Sequence, residues 1–214
     1  MYVPSAFRQS SEDELFGLVE HYPFATLVAI TASGLLANHQ PMVLHRDEGT
    51  QGLLRGHLAR GNAFIDDALE GADVLAIFQG PSAYISPSWY PSKAEHGKVV
   101  PTWNFAAVHC QAVLRFQCDS DWLLTHLSSL TQMHEQGLPE PWSVDDAPAH
   151  FIDTMMRGIV GIELELKHVE GKWKLGQNRA DADRVNVERV LANESDSRLN
   201  AVAELMRATR TQSA

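Results

Sequence analysis

Thr102-Trp-Asn-Phe-Ala-Ala-Val-His-Cys-Gln-Ala-Val-Leu-Arg-Phe-Gln117 alternates with period two. Val108, Cys110, Ala112, Leu114 and Phe116 share one face. His109, Gln111, Arg115 and Gln117 share the other, with Val113 the one apolar intruder. Successive side chains of a strand point to opposite sides, so this pattern predicts a long half-buried strand. Ile159 to Lys167 repeats the pattern: Val160, Ile162, Leu164 and Leu166 alternate with Gly161, Glu163, Glu165 and Lys167. Gly171 reads as a turn. Two such strands point to an antiparallel sheet with one face on a core.

Further strands are expected at Thr26 to Thr31, Leu35 to Leu44, Leu53 to Leu58 and Val74 to Phe78. Ser33-Gly34 separates the first two, and Pro41 marks an edge or a bulge in the second. Ser11-Glu-Asp-Glu14 is a capping box, followed by the stripe Leu15, Phe16, Leu18 and Val19; Pro23 ends that helix. Ala59 to Leu69 reads as a short helix. Asp121 to Gln136 reads as an amphipathic one through Trp122, Leu123, Leu127, Leu130 and Met133. Asp181 to Arg210 reads as two helices split near Asn193–Ser195. Gly80 to Pro101 holds four prolines with Tyr84, Trp89 and Tyr90, and is expected to be a long structured loop around a short strand. The class is mainly β with α additions, a Greek-key type barrel with flanking helices. No internal boundary is visible, so residues 1–214 read as one domain with C-terminal helices from about 181.

The chain has 214 residues, 44% hydrophobic and 21% charged, which excludes disorder, collagen and coiled coil. No apolar run approaches a membrane span, and the start lacks a signal peptide's n-region and h-region. Cys110 and Cys118 are too few for a disulfide framework, so a cytoplasmic protein is expected. A formal charge of −10 weighs against a broad nucleic-acid surface. From Asp181 to Ala214 six acids face five arginines, a poor balance for a groove-reading helix.

Three stretches could carry chemistry. Gly56-His57-Leu-Ala-Arg60-Gly61-Asn62 places an Arg and an Asn where a strand meets a helix start, the setting of a phosphate site. An ordinary strand-to-helix loop is its bland alternative. Thr102 and Asn104 put polar groups on the inner face of the long strand, beside Trp103. Such groups need partners, either a ligand or loop backbone. Gly171-Lys-Trp-Lys174-Leu-Gly-Gln177-Asn178-Arg179 gathers three cations, an aromatic ring and two carboxamides, the parts that hold a phosphate and a flat ring. The ten histidines form no metal motif, so no metal site is expected. No nucleophile elbow or Walker sequence is present, and no residue stands out as a catalytic acid or base.

Tyr2-Val-Pro, Gly56-His57-Leu-Ala-Arg60, Ile85-Ser-Pro-Ser-Trp-Tyr90, Val100-Pro-Thr-Trp-Asn104 and Val108-His109 together resemble the PaiB family. So do Pro141-Trp142, Ile159-Val-Gly161 and Gly171-Lys-Trp-Lys174 with Gln177-Asn178-Arg179. The match runs from residue 2 to about residue 191. The family is described as FMN-binding negative transcriptional regulators, resembling the FMN-binding split barrel of pyridoxamine-phosphate oxidases and flavin reductases. The resemblance implies a split β-barrel, a homodimer and an FMN cofactor that purification can strip. It also implies repression of sporulation and degradative-enzyme genes. By split-barrel analogy, His57, Arg60, Gly61 and Asn62 would meet the phosphate, and Thr102, Trp103 and Asn104 the ring. Lys174, Gln177 and Asn178 would close the site. The alternatives are a flavin-dependent oxidoreductase without DNA binding, and a haem-binding split barrel using His57, His109 or His168. Cys110, Gln111 and Gly176 depart from the family pattern, where small residues and a Ser are expected.

Overall fold

The computed structural model describes residues 1–67 and 70–211. A single 3-10 turn (Ser5–Phe7) and the short strand β1 (Arg8–Gln9) precede helix α1 (Glu12–His21). Next come β2 (Phe24–Thr31), β3 (Gly34–Pro41), β4 (Val43–His45), β5 (Leu53–Ala59), α2 (Ala63–Asp67) and β6 (Asp73–Ile85). A 3-10 turn (Pro87–Trp89) leads to α3 (Ser92–His96), β7 (Thr102–Gln117) and α4 (Ser120–Glu135). After the 3-10 turn Val144–Asp146 follow α5 (Ala149–Met156), β8 (Ile159–Lys174), α6 (Asp181–Ala192) and α7 (Ser197–Thr211). The strands form an eight-stranded sheet in the order β3-β2-β6-β7-β8-β5-β4, with β1 also on β8. Antiparallel pairs join β1 with β8, β2 with β3 and β6, β4 with β5, and β5 with β8. The order runs from β3 to β4 without closing on itself. The protein is therefore mainly β.

The long strand ends where its alternation ends, at Thr102 and Gln117. Ala106, Val108, Cys110, Ala112 and Leu114 are buried on its inner face. Burial pushes the Cys110 thiol up to about 12, so it is a packing group. Leu15, Phe16, Leu18 and Val19 of α1 are buried, and Ser11 Oγ accepts the Glu14 amide as the capping box requires. The two C-terminal helices break between 192 and 197.

Four expectations change. The strand expected over Leu35 to Leu44 is two, β3 and β4, interrupted at buried Met42 beside Pro41. The helix expected from Ala59 to Leu69 begins only at Ala63, and its far end, Leu69, lies outside the described residues. The strand expected to stop at Phe78 continues to Ile85, so the Gly80–Pro101 loop begins later. Its buried phase slips by one at Gly80–Pro81: Val74, Ala76, Phe78 and Gly80 are buried before it, and Pro81, Ala83 and Ile85 after it. A period-two reading loses a strand at such a slip. Gly171 is not a turn. It lies inside β8 opposite Gln9, where a Cβ would overlap Leu15 and Trp173. Close packing, not a bend, requires that glycine.

The chain divides into two compact units, each discontinuous in sequence. Unit 1 holds Met1–Leu15, Gln79–Val108 and Glu170–Ala214; unit 2 holds Phe16–Phe78 and His109–Val169. In unit 1, α6 packs on α7, with Val187, Leu191, Val202, Ala203 and Met206 buried. Ser92 donates its amide and hydroxyl to the Asp183 carboxylate at 3.0 and 2.7 Å, which ties α3 to α6. In unit 2, Leu27, Ala29, Leu54, Leu58, Phe64, Ile162 and Leu164 form the core.

Candidate functional site

In unit 1 the start of β7 meets the end of β8. Lys174 Nζ donates to Thr102 Oγ1 and, at 2.6 Å, to the carbonyl oxygen of Trp103. Burial, then the nearby charges of Lys172 and Arg179, lower the Lys174 pKa. None of these three cations carries an ion pair among the described residues. Lys172 Nζ donates to the Tyr2 carbonyl at 3.0 Å and lies over the Tyr2 and Phe105 rings. Arg179 lies 4.9 Å from the centre of the Tyr90 ring. A cluster of cations without carboxylates attracts an anion.

Beside it, Trp103 is 57% exposed and meets Tyr84 edge to face, ring centres 6.1 Å apart. Two exposed rings at the head of a strand offer an apolar plane to a flat ligand. Asn104 is buried, its Nδ2 3.4 Å from Met206 Sδ, so its amide has only a weak sulfur acceptor. The crevice it shares with Tyr90, Arg179 and Met206 holds only about 10 Å³. A ring system cannot enter it.

Gln177 bonds its own turn, Oε1 accepting from the Leu175 amide at 2.8 Å and Nε2 donating to the Trp173 carbonyl at 2.6 Å. Asn178 is exposed. Gly176 sits at φ +82°, a conformation that residues with a side chain rarely adopt.

Unit 2 carries the other expected residues. Arg60 Nε and Nη2 donate to the carbonyl oxygens of Arg157 and Ile159 at 3.0 and 3.1 Å, holding the start of β8. Asn62 Oδ1 accepts the Phe64 amide at 2.8 Å and so caps α2. That helix has five residues, too few for a sizeable end charge. Gly61 stands in open space: a Cβ there would meet nothing within 4 Å. His57 turns toward α4, its Nδ1 3.2 Å from His126 Nε2. His109 is half-buried and His168 exposed.

His126 was not anticipated. It is 3% exposed, and its Nδ1 has no hydrogen-bond partner among the described residues. Burial first, then the charges of His57, His45 and Arg55, push its pKa down to about 4. Trp122 stacks on it, ring centres 5.5 Å apart, and Gly161 is bare because a Cβ there would overlap the Trp122 ring. The signal was in the sequence: His126 falls four residues after Trp122, on the apolar stripe of α4. Among the described residues no group of three or more His, Cys, Asp or Glu is placed to hold a metal. No helix among them is long and apolar enough to cross a membrane.

Residues 1–168 match the family described as "Putative FMN-binding domain". The protease synthase and sporulation protein PAI 2 of Bacillus subtilis is 31% identical over 206 residues, covering 96% of each chain. Among solved structures, the flavocytochrome Anf3 of Azotobacter vinelandii is similar at a TM-score of 0.59 and 12% identity, covering 79% of this chain and 70% of that one. The FAD and haem binding protein of Mycobacterium smegmatis is similar at 0.55 and 14%, covering 83% and 78%. At such identities these structures speak for the fold alone, a split barrel.

Proposed function

From the premise that the chain belongs to the PaiB family of FMN-binding domains, we propose that it holds FMN on the face made by Trp103, Tyr84 and Lys174. The observation that carries this reading is the exposed aromatic pair beside Lys174, Lys172 and Arg179, an arrangement that suits a flat, anionic nucleotide. Trp103 gives the ring an apolar plane. Lys174, fixed by Thr102, supplies positive charge without a competing carboxylate. Of the carboxamides expected here, Asn178 is exposed, Gln177 bonds its own turn and Asn104 is buried against Met206. When bound, FMN exchanges electrons with a donor or acceptor; the protein orients and shields it. The phosphate contact expected at Arg60 from the split-barrel analogy is a separate proposal, tested on its own below.

The protein works as a homodimer in this reading, because unit 2 exposes an apolar sheet face. Phe24, Ile30 and Leu35 are 65%, 80% and 79% exposed on β2 and β3. The proposal extends to gene regulation: the family is described as negative transcriptional regulators, and the relative's name concerns protease synthesis and sporulation. The flavin's redox state is then what the regulator senses.

The test is a visible spectrum of the purified protein after adding FMN and removing the excess. Flavin bands should co-elute with the protein. Lys174→Gln should weaken FMN binding by about 1.5–3 kcal/mol, the worth of a charged hydrogen bond, and Arg60→Ala by a similar amount. No retained flavin in the wild type overturns the reading, and a Soret band with added haemin would replace it by haem. Unchanged affinity in Arg60→Ala removes only the unit 2 contact.

A further inference from the structure

Unit 2 turns apolar side chains outward in the most acidic stretch of the chain. Between Arg115 and Arg157 there is no Lys or Arg, and there are seven Asp or Glu, so seven of the ten net negative charges fall there. The stretch holds α4, the 3-10 turn Val144–Asp146 and α5, and both the turn and α5 pack on α4. Trp142 donates its amide to the Glu135 carboxylate at 2.9 Å, which fixes the approach to the turn at the end of α4. Ser143 donates its amide to the Asp146 carboxylate at 2.8 Å, which holds the turn itself.

A surface helix ordinarily sends its apolar residues inward and its polar ones outward. α5 follows that rule only in part. Met156 is buried and Ile152 half-buried, but Phe151 and Met155, four residues apart and so on one face, are 50% and 51% exposed. Leu138 and Trp142, which follow α4, are 51% and 46% exposed. Trp, Phe and Met are residue types enriched in the centres of protein interfaces, with polar groups at the rim. Glu140, Asp145 and Asp153 supply such a rim: they are exposed, and none of the seven carboxylates has an ion pair among the described residues. Charge selects the occupant. A second copy of this face would set seven negative charges against seven, and a nucleic acid or an anionic lipid surface would be repelled in the same way. The complement is a cationic protein segment with an apolar side of its own, and the form that lays such a side along an exposed helix is an amphipathic helix.

We infer that the outer face of α5 and the Leu138–Trp142 approach dock a basic amphipathic helix of a partner protein. Its apolar stripe covers Phe151, Met155 and Trp142, and its Lys or Arg rim meets Glu140, Asp145 and Asp153. The inference does not rest on the flavin reading. It is tested by calorimetric titration of the whole protein with an amphipathic Leu/Lys peptide, and with the Leu/Glu peptide of the same pattern. The Leu/Lys peptide should bind and shift the ¹⁵N amide signals of α5 and of residues 138–143; the Leu/Glu peptide should do neither. Phe151→Ser with Met155→Ser, both at exposed positions, should weaken binding roughly ten-fold with the circular dichroism spectrum unchanged. Glu140→Gln with Asp145→Asn should weaken it several-fold and make its salt dependence shallower. Glu194→Gln with Glu204→Gln, which removes the same charge from unit 1, should leave it unchanged. The inference is overturned if the Leu/Lys peptide does not bind, if the Leu/Glu peptide binds as well, or if the unit 1 substitutions weaken binding as much as those at Glu140 and Asp145. It is also overturned if Phe151→Ser with Met155→Ser converts a wild-type dimer to a monomer in sedimentation velocity, since a second copy would then cover the face.

Discussion

His126 shows what one buried base does to stability. Held neutral in the fold, it takes a proton in the unfolded chain below its ordinary pKa of 6.5, whereas in the fold it resists protonation down to about 4. The unfolded state therefore binds more protons between those values, and stability falls as pH falls through that window. The full loss from this residue is on the order of 3 kcal/mol, with about 2 kcal/mol of it reached by pH 5. His57 and His45, both lowered chiefly by burial, add in the same direction. Replacing the ring by one that cannot titrate should flatten the dependence. Urea midpoints at pH 7 and pH 5 should lie closer together in His126→Phe than in the wild type. An equal spacing would mean that His126 titrates in the fold as it does in the unfolded chain. The same residue marks a limit of reading sequence: its place on the stripe of Trp122 and Leu123 was visible, but its neighbour His57 lies 69 positions away. Nothing local announces a pairing of that kind.

At the scale of elements, β7 and the C-terminal helices were legible because each keeps one period over most of its length, Ala107 and Val113 being the off-phase buried residues of β7. β6 and β8 were read short for physical reasons. β6 slips phase at Gly80–Pro81, and β8 contains Gly171, whose role is to admit Leu15 and Trp173. For the candidate site, Lys174, Thr102 and Trp103 were anticipated as a group and do meet. The partners of Gln177 and Asn62 were missed, because a carboxamide that bonds its own turn looks the same in sequence as one that awaits a ligand. The β2–β3 hairpin tests the dimer. Ile30 pairs with Leu35 across the two strands, and β3 ends the strand order, so an apolar pair sits at a sheet edge. A second copy covering it would bury both side chains. Ile30→Lys with Leu35→Lys should then convert a dimer to a monomer in sedimentation velocity, with the circular dichroism spectrum unchanged. A wild-type monomer at the same concentration would put this face to another use.

At the scale of the whole molecule, charge bears on whether the proposed regulatory role works through DNA. The formal charge is −10, and the C-terminal helices do not escape it. Arg184 pairs with Asp181, Arg198 with Asp196, and both Arg207 and Arg210 with Glu188, at 2.6 to 3.6 Å. Four of the five arginines that could have faced a phosphate backbone are thus engaged by acids of their own segment, three carboxylates against four cations. What remains as a cluster is Lys172, Lys174 and Arg179, and that cluster is the one proposed to hold the nucleotide. Three cations released onto DNA would give a salt dependence no steeper than about −3 on a log–log scale, the regime of weak and non-specific binding. A mobility-shift assay on the protein's own promoter should therefore show no shift at physiological salt. If a shift appears at low salt, saturating FMN should abolish it, since flavin and phosphate backbone would compete for the same three side chains. A tight, sequence-specific shift that survives both salt and FMN would require a basic surface built by something other than this chain alone. Without such a shift, the proposed regulation would have to run through the flavin or a protein partner, and the electron donor becomes the question that links the fold to its biology.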